Sequence, residues 1–166
     1  MKNIVKLIAC VLLLTLGLST LVACGGETST EPVNASFEEI LTAVKGAVPN
    51  SDKMVDATST YLKNFIKANP DDYANFTVQV QSISTAIDEF GLFEAKSVEE
   101  AEAIEDMIEA YLDFYENEVW DDRYVAEEFP KLRDAECVRR GQYVFYVILG
   151  EDARADAITA FENAAK

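Results

Sequence analysis

From Ser36 onward the apolar residues recur with a period that changes along the chain. Phe37, Ile40, Leu41 and Val44 fall at helical spacing and the run ends near Pro49. Ser36 and Glu39 precede it as a capping box, in which each side chain serves the other's backbone N–H. Met54, Tyr61, Leu62, Phe65 and Ile66 predict a second helix from Asp52 to Ala68. Asn69-Pro70-Asp71-Asp72 then turns the chain, since a residue before proline avoids helical backbone. Next the period drops to two. Phe76, Val78 and Val80 alternate with Thr77, Gln79 and Gln81, as in a half-buried strand. A turn at Ser84-Thr85-Ala86 leads into a second strand, "IDEFGLFEA", whose Gly91 marks a bulge or a close approach.

Ser97 and Glu100 form another capping box, opening the longest helix, about Val98 to Val119. Val98, Ala101, Ile104, Ile108, Tyr111, Leu112 and Tyr115 make its apolar stripe, with acids on the remaining face. Residues 120–130 are irregular. "DAECVRRGQYVFYVIL" then reads as a hairpin turning at Arg140-Gly141. In its second strand Tyr143, Phe145, Val147 and Leu149 face one way, and Val144, Tyr146 and Ile148 the other. Two apolar faces make it the central strand, covered on both sides or by an oligomer. Asp152 would cap a last helix that buries Ala157, Ile158, Phe161 and Ala165. The expected fold class is α+β: a four-stranded, mostly antiparallel sheet of two hairpins, packed with about four helices.

Ahead of this domain, residues 1–23 have two lysines, an apolar run from Leu7 to Leu18 and small residues at the end, the pattern of a secretory signal peptide. The run falls short of the roughly 20 apolar residues of a permanent spanning helix. Leu21-Val22-Ala23-Cys24 resembles the lipobox of bacterial lipoproteins. That resemblance implies a diacylglyceryl group on the Cys24 thiol and cleavage before it. Two acyl chains hold a protein stably where one does not, at about 0.8 kcal/mol per buried methylene. A plain secreted protein with an incidental cysteine is the competing reading. Residues 24–35, lipidated cysteine and Gly, Thr and Ser-rich linker, form a flexible tether; residues 36–166 form one globular domain. The expected address is the extracytoplasmic face of the cell membrane.

Without residues 1–23, 12 basic side chains face 30 acidic ones, a formal charge of −18. That charge excludes nucleic acid and basic-patch membrane binding. Cys10 and Cys24 lie outside the domain, so Cys137 has no intramolecular partner and is expected as a buried, inert thiol. The chain has no histidine. Histidine-dependent triads and dyads are thereby excluded, as is His-ligated zinc, and cysteine ligands are too few. No cofactor is expected.

The lipobox, "AIDEFGLFEAKS" before a long helix, and "FPKLRDAECVRRGQYVFYVIL" before a closing one are similar to an uncharacterised family of bacterial lipoproteins, domain of unknown function 4358. The resemblance implies fold and address and brings no activity or catalytic residue. Three features remain as candidate chemistry. Asp88-Glu89 is the first; neighbours in a strand face opposite ways, so a turn-edge polar pair is the plainer reading. Glu102, Glu105, Asp106 and Glu109 could hold a hard cation or simply form a solvated face. Tyr73, Trp120, Tyr124 and Phe129 could line a sugar or peptide groove or plug the ends of the sheet. Two functions fit: a membrane-tethered, non-enzymatic domain that binds a peptide, glycan or envelope protein, or a cell-envelope hydrolase that uses carboxylates alone.

Overall fold

The computed structural model describes residues 30–82, 86–119 and 126–166. Five antiparallel strands form one sheet in the order β1-β2-β3-β5-β4: β1 (Met54–Asp56), β2 (Asn75–Gln81), β3 (Glu89–Glu94), β4 (Glu136–Arg140) and β5 (Tyr143–Ile148). The sheet therefore has five strands, where four were expected. The additional one is β1, which lies inside the stretch read as a helix from Asp52 to Ala68. Its Met54, Val55 and Asp56 pair with Gln81, Val80 and Gln79. Three residues carry too little periodicity to betray a strand, and β2 supplies the ladder that makes them one. What is left of the expected helix is α2 (Ser59–Tyr61), capped by Thr58, which widens into a π-helical turn (Leu62–Ile66).

Helices cover both faces. On one lie α1 (Phe37–Ala47) and α5 (Glu151–Ala164), packed on each other. The Ser36–Glu39 capping box of α1 is present. Asp152, however, lies inside the first turn of α5, and Gly150 holds the cap position. Phe90, Leu92, Tyr143, Phe145 and Val147 point toward this pair of helices and meet Ile40, Val44, Ala157 and Phe161 in an apolar core. On the opposite face lie α2 and α3 (Ala101–Phe114), α3 continuing as a π-helical turn (Tyr115–Val119). There Val78, Phe93, Val144, Tyr146 and Ile148 meet Leu62, Ile66, Ile104, Ile108 and Tyr111. The fifth helix, α4 (Phe129–Arg133), leads into β4. Both expected faces of β5 are thus covered, and from within the chain.

The β4–β5 hairpin turns at Gly141-Gln142, one residue later than expected. Gly141 has φ +52°, and a Cβ there would meet the Glu31 carbonyl oxygen at 2.6 Å. That tight approach belongs to an arm. The Gln142 side chain accepts from Val33 N at 2.9 Å and donates to Val33 O at 2.8 Å, while Tyr143 donates to Ala35 O at 2.9 Å. Val33 is buried. The folded unit therefore extends back to Val33, through residues whose composition reads as tether. Cys24 and the signal-peptide residues lie outside the described residues.

Candidate functional site

Glu89 opens β3 with its side chain on the α2–α3 face of the sheet, 3 % exposed. One neighbouring strand and two helices bring phenols to it. Tyr146, on the neighbouring β5, donates to Oε1 at 2.5 Å, and Tyr111 of α3 donates to the same oxygen at 2.9 Å. Tyr61 of α2 donates to Oε2 at 2.6 Å. The Tyr61 hydroxyl also lies 2.8 Å from that of Tyr111 and 3.1 Å from that of Tyr115. Tyr111 on α3 and Tyr115, the first residue of the π-helical turn that continues it, are neighbours because four residues make about one helical turn.

Gly91 makes the cluster possible. It pairs with Tyr146 across the ladder, and a Cβ there would overlap the Tyr146 ring at Cε1. The Cε1 edge of the ring sits against the glycine, and the hydroxyl reaches Glu89. Gly91 is therefore the site of a close approach, by a side chain, and the β2–β3 register runs past it without a bulge.

Burial pushes the Glu89 carboxyl up, and the hydrogen bonds from Tyr146, Tyr61 and Tyr111 pull against that rise. Burial and the facing carboxylate raise Tyr61, Tyr111 and Tyr146. Asp88, one residue earlier, has a different role. It takes an ion pair from Lys131 of α4 at 2.7 Å, and Lys131 also meets Glu128 at 2.9 Å. Burial pulls the Lys131 ammonium down, but its two carboxylate partners outweigh that and leave it raised. The Ile87 N–H donates to the same Glu128 carboxylate, so this group ties α4 to the start of β3. Asp88 and Glu89 thus do not act together, as strand alternation requires. Glu89, though, is a core residue and not half of a turn-edge pair.

On the same face, toward the opposite end of the strands, lies an open groove of about 260 Å³. Tyr73, Ile104 and Met107 make its floor, with the Tyr73 hydroxyl donating to Met107 Sδ at 3.3 Å. Lys67, Asp72 and Glu100 stand at its exposed rim. Of the aromatics expected to line a groove, Tyr73 does so. Phe129 begins α4, half-buried, and Trp120 and Tyr124 lie outside the described residues.

On the acidic side of α3, Glu105 is taken by Arg139 of β4 at 2.7 Å. Among the described residues no three acidic or sulfur side chains converge as metal ligands would. Cys137 is half-buried on β4, less deeply than expected, because β4 is an edge strand. Burial and the nearby Glu105 and Glu109 carboxylates push its thiol up, against reactivity. Among the described residues no helix is long and apolar enough to cross a membrane.

The tyrosines around Glu89 were not singled out from sequence as a site. Tyr111 and Tyr115 stand in the α3 stripe, where they read as core. The only local signal was the glycine in a strand of large apolar residues.

The fold and this cluster define a small α+β domain with one sheet between two helical layers. The chain belongs to the family described as a domain of unknown function (DUF4358), whose model matches residues 47–149. That span holds Glu89 and all four tyrosines, and leaves out α5 and nearly all of α1. Neither the curated proteins nor the solved structures give a match.

Proposed function

We propose that this chain is an extracytoplasmic lipoprotein, held to its membrane by acyl chains on Cys24, whose domain binds a peptide, glycan or envelope protein without doing chemistry on it. The groove over Tyr73, Ile104 and Met107 carries this reading: it is open, apolar at its floor and charged at its rim, the usual composition of a small recognition site. A carboxylate hydrolase is the other reading, and the raised Glu89 is what favours it, since a general acid must hold its proton. Glycosidases, however, place two carboxyls about 5 to 9.5 Å apart around an open bond. Here phenols occupy both Glu89 oxygens, and among the described residues it is the only buried acid.

Mass spectrometry of the processed chain tests the anchor: acylated Cys24 at the N-terminus is expected, and an unacylated soluble chain would refute it. NMR titration with cell-wall glycan fragments and with peptides tests the rest. Shifts gathered at Tyr73, Ile104 and Met107, and lost in Ile104→Glu, are expected. Cleavage of a glycan that disappears in Glu89→Gln would establish the hydrolase instead.

A further inference from the structure

Four short oxygen–oxygen contacts join Glu89, Tyr61, Tyr111 and Tyr146. They are Tyr146 to Oε1, Tyr111 to Oε1, Tyr61 to Oε2, and Tyr61 to Tyr111. Each contact at such a distance needs one proton between its oxygens. The three phenols carry one proton each. If Glu89 is an anion, all three point at it, and the Tyr61 and Tyr111 oxygens then face each other at 2.8 Å with none between them. We propose that the fourth proton sits on Glu89, which is a neutral carboxylic acid in the folded domain at neutral pH. Oε2–H then donates to Tyr61 in place of accepting from it as a carboxylate would, Tyr61 turns its proton to Tyr111, and Tyr111 donates back to Oε1. The ring closes with every contact filled. Tyr146 completes Oε1, and the Tyr115 hydroxyl lies farther out, 3.1 Å from that of Tyr61 and placed to accept from it, outside the four shorter contacts.

The surroundings agree. Among the described residues no cation is bonded to Glu89. Lys131 on α4 is taken by Asp88 and Glu128, and Arg139 on β4 by Glu105. On β2 the residue paired with Glu89 is Val80, and on β5 it is Ile148. An anion here would have phenol dipoles alone in place of water, and burial disfavours it, in line with the upward shift of the group. The bound proton therefore links α2 and α3 to the sheet. Losing it turns a closed ring into a buried charge.

The sign of the pH dependence tests this. A carboxyl that stays protonated when folded but ionises near pH 4.3 when unfolded stabilises the fold fully below that pH. The advantage fades as pH rises toward the folded group's own titration. Relative to Glu89→Gln, which cannot titrate, the folding constant of the wild type should fall by up to tenfold per pH unit above about 4.3. A ratio that instead climbs through the acid range and then levels off above about 4.3 would overturn the proposal. Infrared spectroscopy reads the proton directly. The native chain at neutral pH should show the carbonyl stretch of a protonated carboxyl, absent in Glu89→Gln. Should that variant fail to fold, the wild-type band must vanish on unfolding in urea at the same pH; its absence from the native spectrum refutes the neutral acid.

Discussion

The two faces of this sheet are stabilised by different means although the same strands supply both. Toward α1 and α5 the core is dry: Phe145 stacks on Phe161 with ring centroids 5.2 Å apart, and Val147, Leu92 and Ala157 fill the space around them. Toward α2 and α3 part of the core is a carboxyl ringed by phenols, with the Tyr111 and Tyr146 rings meeting edge to face and the Tyr111 and Tyr115 rings tilted against each other. The first arrangement tolerates small shifts, because dispersion has little direction. The second fails when one member leaves, because a buried polar group without a partner costs more than the bond it made. The hydrogen-bonded face also carries the groove, so any ligand there would meet the more exacting half of the molecule.

Truncating the dry core should have the largest effect. Phe161→Ala removes a fully buried ring and should cost about 3–5 kcal/mol, read by urea unfolding. Gly91→Ala should come next. It drives a methyl group into the Tyr146 ring, for about 1–3 kcal/mol by overpacking, and the near-ultraviolet tyrosine circular dichroism should change with it. The same substitution at Gly150, where the structure leaves open space, should leave that signal unaltered. Tyr146→Phe keeps the ring and deletes one donor to Glu89. About 1–3 kcal/mol is expected, and a cost near zero would mean that the two faces do not differ as described. Ser36→Ala removes the α1 cap at the surface of the dry side and should cost about 1 kcal/mol without touching the tyrosine signal.

Much of the fold was legible along the chain. Capping at Ser36, period-two alternation in β2, the glycine of β3, the doubly apolar β5 and the stripe of α3 are local patterns, and local patterns report local backbone. The helix expected from Asp52 to Ala68 failed at its first residues for the opposite reason: β1 is made by its hydrogen bonds to β2, some 25 residues onward. Likewise the Ser97 hydroxyl does accept from Glu100 N, but regular helix begins only at Ala101.

By itself the sequence determined the mixed fold class, the alternating faces of the strands, the strongly acidic surface and the absence of histidine chemistry. These depend on residue type and short spacing alone. Only the tertiary structure decided the role of Glu89, whose partners lie 28, 22 and 57 residues away at Tyr61, Tyr111 and Tyr146. A carboxyl next to an aspartate reads as surface until three phenols from three separate elements converge on it, and no short-range pattern records that convergence.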